Sequence, residues 1–274
     1  MMPPNTGSAI LASVIIPVYN GLAYTRQCLQ ALRSNTSGVT YEVYEVMVIN
    51  NASTDGTGEY LHRLRPDVRV LTNQTNLGFA KACNQGARAA RGQYLVFLNN
   101  DTIPQPGWLT AMVAVARRCP CIGVVGSKLL YPDGRVQHAG VVIRQEHPIG
   151  TRHIYRGYPA SAPQVNKERD FQVVTGACML VRRSVFEQLN GFDEGYINSY
   201  EDVDFCLRVR QAGWRVVYTP RSVLFHYESA TEGRHLKDVE NFQRLNAQWA
   251  GKIKADAHLY YQADSTSPPH PKVF

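Results

Sequence analysis

The sequence has little of what would announce a nucleic-acid partner, a membrane span or a metal cage. It carries a formal charge of +7 over 274 residues, yet no basic run and no nucleic-acid motif. A nucleic acid is therefore set aside as a partner, and the positive balance suits a nucleotide diphosphate or an anionic membrane surface equally. No segment reaches the length of a spanning helix, so membrane contact is expected to be peripheral at most. The opening MMPPNTGSAILASVIIPVYN lacks a basic n-region, and its apolar part flows into a strand, unlike a signal peptide. The six cysteines, Cys28, Cys83, Cys119, Cys121, Cys178 and Cys206, are scattered, with no second Cys/His pair at zinc spacing. Cys119 and Cys121 stand too close for an easy bridge, so reduced, buried thiols in a cytoplasmic protein are expected. A dinucleotide fingerprint is also missing. Gly56-Thr57-Gly58-Glu59-Tyr60-Leu61 lacks the third glycine and follows the second strand rather than the first.

What is present is a regular alternation of apolar runs and helical patterns. With 44% hydrophobic and 19% charged residues, the chain can build one large α/β domain or two small ones. Ile10 to Val18, Val43 to Ile49 and Val68 to Leu71 read as strands. Tyr94 to Leu98, five apolar or aromatic residues in a row, reads as a strand buried on both faces. Between them fall helical patterns: Leu22 to Asn35, a segment ending at Leu64 after the turn Ala52 to Thr57, and Phe79 to Ala90. This alternation predicts a mostly parallel sheet with helices on both faces. Right-handed crossovers would bring the polar ends of the first, second and fourth strands to one edge.

Further on, Pro104 to Arg118 predicts a helix, Ile122 to Val125 a short strand, Pro132-Asp133-Gly134 a turn and Val136 to Arg144 a strand. From Gln145 to Arg169 the pattern dissolves, and the expectation is a mobile flap, with a plain surface excursion nearly as good a reading. Phe171 to Val181 regains strand character around Gly176-Ala177. Ser184 N-caps a short helix to Leu189. Glu201 to Gln211 is a helix with an acidic first turn, which the helix dipole favours whatever its use. On it, Asp204 and Arg208 have the spacing of an ordinary i,i+4 ion pair. Val216 to Tyr218 and Ser222 to Phe225 are short strands, the second delivering His226. His235 to Tyr261 is expected to be helical and Ala263 to Phe274 a loose tail.

The stretch that organises the chain is QYLVFLNNDT, residues 93–102. A buried strand stops at Asn99, Asn100 and Asp101, where ligands of open α/β sheets bind. Taken alone, the triplet reads as a strand-ending Asx turn. It gains weight from its neighbours in order: SVIIPVYN, INNASTDGT, NLGFAKACNQG, GQYLVFLNNDT, GSKLLYPDGRVQHAG, TGACMLVRR, GFDEGY, YEDVDFCLRVRQAGWRV and VLFHYES. This unbroken series, roughly residues 10 to 230, resembles the GT-A-fold glycosyltransferases of family 2. The NNDT and LLYPDG-type segments are most similar to the rhamnosyltransferase-like enzymes of bacterial surface-polysaccharide assembly.

The resemblance implies a GT-A domain over residues 1–234, with a donor half at about 10–130, an acceptor half at about 131–234, and a C-terminal helix and loose tail over 235–274. It implies a nucleotide-diphosphate sugar donor, UDP- or dTDP-linked, with the base held by Pro17, Tyr19, Asn50, Asn51 and Asp55. Many relatives have an aspartate at Asn50, and an amide can donate as well as accept. Asn76, Gly78 and Asn84 match the segment over the nucleotide, although turn chemistry for Gly78 and a helix-surface place for Asn84 are equally good readings. Asn99-Asn100-Asp101 stands where the family has DXD. Asp101 is then the one carboxylate for Mg²⁺ or Mn²⁺, with His226 as the second ligand and donor phosphates completing the set. Glu201 and Asp202 match the acidic pair at the acceptor site, Asp202 as general base and Glu201 as an orienting or sugar-binding group. Gly176 matches a glycine near the donor sugar, where close backbone approach explains the residue.

The function implied is inverting, metal-assisted sugar transfer to a hydroxyl of a glycan, lipid-linked or protein acceptor, on the cytoplasmic side or at the inner face of the membrane. Two other readings stand beside it. Asn50 and Asn99 leave room for an impaired sugar-nucleotide-binding module of the same fold. A nucleotidyltransferase would need a glycine-rich basic loop after the first strand, which Pro17-Val18-Tyr19-Asn20-Gly21 is not.

Overall fold

The computed structural model describes residues 10–36, 43–65, 67–228 and 237–267. The first strands follow the expected alternation: β1 (Ile10–Val18), α1 (Leu22–Asn35), β2 (Val43–Asn50), α2 (Thr57–Arg63), β3 (Arg69–Thr72), α3 (Phe79–Ala89) and β4 (Tyr94–Leu98). β1 lies between β2 and β4, parallel to both, and β3 extends the set beyond β2. Val14, Ile16 and Val18 of β1 join one apolar cluster with α1, α2 and a later helix, α4 (Trp108–Arg118), while Ile15 joins another with α3. Burial on both faces is what makes these strands read as unbroken apolar runs. Helix α3 sits especially close to the sheet: a Cβ on Gly86 would lie 2.5 Å from Ile15 Cγ2, so only glycine allows that approach.

The second half is mixed. After β5 (Thr102–Pro104) and α4 (Trp108–Arg118) come β6 (Ile122–Leu130), β7 (Val136–His138), β8 (Val141–Glu146), β9 (Ile149–His153), a 3-10 turn (Pro163–Asn166), β10 (Arg169–Asp170), β11 (Cys178–Arg182), α5 (Arg183–Gln188), α6 (Glu201–Gln211), β12 (Arg215–His226), α7 (Asp238–Trp249) and α8 (Ala257–Ala263). The large sheet has ten strands in the order β10-β12-β6-β11-β4-β1-β2-β3, with β5 on β12 and β7 on β6. β11 is antiparallel to both β4 and β6, while β12 runs parallel to β6.

Several expectations change. Pro104 to Pro106 is not helical: β5 precedes α4, which begins at Trp108. The two short strands of 216–225 are one, β12, whose pairing with β6 shifts register between Thr219 and Val223. That shift absorbs Pro220 without ending the strand. The patternless region 145–169 is not a free flap. Its first part is the β8–β9 hairpin, and Ile149, Ile154, Tyr155 and Val165 are buried in the main core. Ser184 does not cap α5, whose N-cap position is Arg182 with no side-chain bond. The expected tail is pinned at its start: Asp264 pairs with Lys167 and Arg169, and its carboxylate accepts from the Tyr155 hydroxyl. Residues 268–274 and His235 lie outside the described residues. Cys119 and Cys121 are joined as a disulfide, contrary to the expectation of free thiols, since the residue between them lets their Cα atoms approach to 5.1 Å. The other four cysteines are free and buried.

What sets the two halves against each other is an aromatic cluster beneath the strand ends. Phe97 of β4 contacts Phe186 of α5 and Phe192, with ring centroids 5.1 and 4.8 Å away. Phe205 of α6 packs on both Phe186 and Phe192. Each such pair adds about 0.5–1.5 kcal/mol to burial. Together they fix the start of α6 against the end of β4. On the far side of α6, Asp204 is fully buried, accepts from Arg208 Nε at 2.8 Å, as its spacing predicted, and from Trp249 Nε1 at 2.9 Å. That bond latches α7 onto α6.

Candidate active site

At the carboxyl ends of the parallel strands lies a cleft of about 580 Å³. Twelve residues singled out from the sequence line it: Pro17, Tyr19, Asn51, Asn76, Gly78, Asn99, Asn100, Asp101, Gly176, Glu201, Asp202 and His226. Three do not, and each has polar atoms bonded within the protein. Asn50 is buried, and its Oδ1 accepts from the Ser53 N–H at 3.0 Å to shape the turn after β2. Asp55 accepts from the Leu22 N–H at 2.9 Å and from the Thr57 N–H and hydroxyl, so it caps α1 from a neighbouring loop. Asn84 bonds both N–H and C=O of Phe192 and reaches Glu194, tying α3 to the turn before α6.

One wall is made of strand ends and loops. Asn51 follows β2, donates to the Gly78 carbonyl at 3.2 Å and accepts from Asn73. Asn76 Oδ1 accepts from the Gly78 N–H at 3.0 Å. Asn100 donates to Thr25 of α1 at 3.0 Å. These asparagines hold loop backbone in place along the wall.

The acidic corner forms where β4 ends. Pairing of β12 with β5 sets His226 opposite Thr102, one residue past Asp101, and so brings a residue from far along the chain to the carboxylate. His226 Nε2 lies 3.1 Å from Asp101 Oδ1 and 3.4 Å from Asn99 Nδ2. On the other side of the ring, Nδ1 lies 2.6 Å from Gln137 Oε1.

The opposite corner belongs to α6. Tyr200, at φ +67, turns the chain into the helix, an uncommon conformation for a tyrosine. It delivers Glu201 and Asp202 in the first turn, where negative charge is favoured. Asp202 Oδ2 accepts from the Gly176 N–H at 2.7 Å, and Oδ1 from the Val203 N–H at 2.8 Å. A Cβ on Gly176 would stand 3.2 Å from Asp202 Cβ. Within this structure the close approach that the glycine permits is therefore that of Asp202.

A third contribution, from the β8–β9 hairpin and its neighbours, was not expected from the sequence. Arg152, His153 and Arg156 line the cleft, as do Gln137, Thr175 and Glu228. Arg156 pairs with Glu228 at 2.8 Å. His153 donates from Nδ1 to the Gln137 carbonyl at 3.1 Å, and burial pushes its imidazole down towards neutrality. Behind it, His138 is fully buried, with Nδ1 on the Ser127 carbonyl and Nε2 facing the Thr175 N–H. Burial, then neighbouring His153, pushes its affinity for a proton well below the ordinary value. The only sequence cue was placement: 126–140 is a matching motif, but its Gln137 carried no assigned role.

The donor set at Asp101 and His226 joins a hard carboxylate oxygen to an imidazole, which suits Mn²⁺ or Mg²⁺ with further oxygens from a ligand. Among the described residues no group of three or more His, Cys, Asp or Glu side chains gathers as a metal cage. Two protein ligands would leave a cation's remaining positions to oxygens of a phosphate-bearing ligand.

Residues 13–189 match the model of glycosyl transferase family 2. The chain belongs to that family. It is 37% identical over 228 residues to the O-antigen biosynthesis protein RfbC of Myxococcus xanthus, covering 80% of this chain and 17% of that one. Over 226 residues it is 30% identical to the N-acetylglucosaminyl-diphospho-decaprenol L-rhamnosyltransferase of Mycobacterium tuberculosis, covering 75% of this chain and 74% of that one. An uncharacterized protein of Sinorhizobium fredii, y4gI, is 34% identical over 81% of this chain. The chain spans 25% of y4gI and 17% of RfbC, so it is similar to one part of those longer proteins. Among solved structures, GalNAc-T7 with UDP, GalNAc and Mn²⁺ superposes with a TM-score of 0.67 at 16% identity, over 86% of this chain and 49% of that one. The fold is thus the GT-A fold of glycosyltransferases. Among the described residues no helix is long and apolar enough to cross a membrane.

Proposed function

We propose that the chain moves a sugar from a nucleotide-diphosphate donor, UDP- or dTDP-linked, to an acceptor hydroxyl in glycan or polysaccharide assembly, with inversion at the anomeric carbon. The observation that carries this reading is that Asp101, the adjacent Glu201 and Asp202, and His226, from three distant stretches of sequence, open onto one cleft. In this reading residues 10–130 bind the donor, with Pro17, Tyr19, Asn51, Asn76 and Gly78 along the nucleotide. Asn50, Asp55 and Asn84 act behind that wall, holding the loops.

Asp202 takes the acceptor hydroxyl's proton. As the new bond to the anomeric carbon forms, the bond from that carbon to the diphosphate oxygen breaks, and its electron pair leaves with the nucleotide diphosphate. The two backbone N–H bonds on Asp202 fix the direction of its carboxylate, which is the positioning this step needs. Glu201 orients the acceptor or sugar. Asp101 and His226 would hold Mg²⁺ or Mn²⁺ together with donor phosphates. When bound, the cation supplies charge neutralisation on the leaving diphosphate.

The name of the Mycobacterium tuberculosis relative makes a lipid-diphosphate-linked saccharide the first acceptor to try. Arg152 and Arg156 on the hairpin side of the cleft give an anionic acceptor something to meet. The test is release of free nucleotide diphosphate from a panel of UDP- and dTDP-sugars, with and without Mn²⁺. The expected result is slow donor hydrolysis that speeds up with the right acceptor and is abolished in Asp101→Ala. Donor binding with no release across the acceptor panel would leave a binding module in place of a transferase.

A further inference from the structure

Gln137 is 1% exposed and sits in the middle of β7, a strand of three residues. A glutamine so deeply buried must satisfy its amide inside the protein. Its Oε1 lies 2.6 Å from His226 Nδ1, and its Nε2 lies 3.5 Å from the carbonyl oxygen of the same His226. The second contact decides the first. Turning the amide over would set Oε1 against the backbone carbonyl, two acceptors face to face, so the NH₂ stays on the carbonyl side. Oε1 therefore faces Nδ1, and a bond of 2.6 Å between them requires Nδ1 to carry the hydrogen. Nε2, on the opposite edge of the ring, points at Asp101 Oδ1 and is approached by the Asn99 amide.

The Gln137 backbone is anchored as well. Its carbonyl accepts from His153 Nδ1 at 3.1 Å, and the flanking residues Val136 and His138 pair with Leu130 and Leu129 of β6. Gln137 thus clasps both the ring and the main chain of His226, while its own strand is held from two sides.

We propose that Gln137 is a positioning residue for the cation site: it holds the His226 ring with Nδ1 protonated, so that Nε2 is the nitrogen presented beside Asp101. The inference rests on the proposed cation role of Asp101 and His226, and it concerns a residue, 1% exposed, that acts through His226. Partners of this kind behind a metal-bound histidine change metal affinity about 10- to 100-fold when removed.

The test uses the full chain as wild type and as Gln137→Met, which keeps the length without an acceptor. Mn²⁺ affinity is read by electron paramagnetic resonance in the presence of UDP, and the ring nitrogens by long-range ¹H–¹⁵N spectra of the metal-free protein. The expected result is a protonated Nδ1 on His226 in the wild type and a 10- to 100-fold weaker Mn²⁺ affinity in Gln137→Met. A bare Nδ1 in the wild type overturns the inference without any variant, which keeps it testable if Gln137→Met fails to fold. Mn²⁺ affinity unchanged in a folded Gln137→Met overturns the positioning role alone. No Mn²⁺ binding to the wild type with UDP overturns the cation assignment on which it stands.

Discussion

The two walls of the cleft are built by different means. On the strand-end wall, Asn51, Asn76 and Asn100 already bond to protein groups, and what they hold is loop backbone. On the opposite wall, a helix start and a hairpin bring ionisable side chains to the opening: Glu201, Asp202, Arg152, His153 and Arg156. The first wall is shaped by bonded loop backbone, with Asp101 and His226 where its strands end. The second carries the ionisable groups of α6 and the hairpin. That difference fits a division of labour in which a recurrent ligand lies against fixed backbone, while variable partners meet side chains on separately folded elements.

The sharpest way to break this comparison is Asp202→Asn. It removes the proposed base, and its amide can accept from only one of the two backbone N–H groups that bond the carboxylate, so kcat should fall about 10²- to 10⁴-fold while UDP affinity by calorimetry stays near wild type. Transfer at the wild-type rate would move the base elsewhere on the second wall. Gly176→Ala should come next. Its methyl would press on Asp202 from 3.2 Å, so kcat should fall about 10-fold through misplacement of the carboxylate, again with donor binding retained. An equal loss of UDP affinity would mean that Gly176 serves the donor directly.

Smaller still is the expected effect of Arg152→Ala. Acceptor KM should rise about 3- to 10-fold for an anionic acceptor, as for loss of one exposed charge contact, with no change for a neutral one. The smallest effect concerns neither wall but the C-terminal segment that closes over the core. Burial opposes ionisation of Asp264, but bonds from Arg169, Lys167 and Tyr155 prevail and bring its carboxyl from 3.8 down to about 2. A carboxyl held lower in the folded state adds stability above its unfolded value and loses it as pH falls through the folded one. Thermal unfolding should therefore show a contribution of about 1 kcal/mol, allowing for solvent screening. It should be present above about pH 4, fading towards pH 2, and absent at every pH in Asp264→Asn.

Legibility in the sequence tracks how local the cause of each feature is. β1, β2 and β4 were readable because burial on both faces leaves an apolar run with little interruption. The start of α6 was readable because its acidic first turn follows directly on the chain. β12 read as two strands because Pro220 argues for a break, whereas the register shift against β6 accommodates it. The segment from Gln145 to Arg169 read as a flap, or nearly as well as a surface excursion, because its apolar residues are spaced by His, Arg and Gly. Burial of the β8–β9 hairpin depends on α7 and α8, as when Asp256 accepts from the Ile143 N–H and Asn246 from the Ile149 N–H. Asp55 looked like a ligand-facing group from its motif, and Asn84 read equally well as one or as a helix-surface residue; only their backbone partners reveal the loops they brace.

By itself, then, the sequence determined the parallel βα half, the edge on which its strands end, and the acidic and imidazole groups worth watching, because periodicity and polar strand ends are written residue by residue. Tertiary structure alone decided that β12 and β5 pair so that His226 meets Asp101, that an aromatic cluster fixes α6 across from them, and that Gln137 grips the imidazole. Those outcomes depend on the register of strands and the packing of rings far apart in the chain, and no local pattern encodes a distance between them.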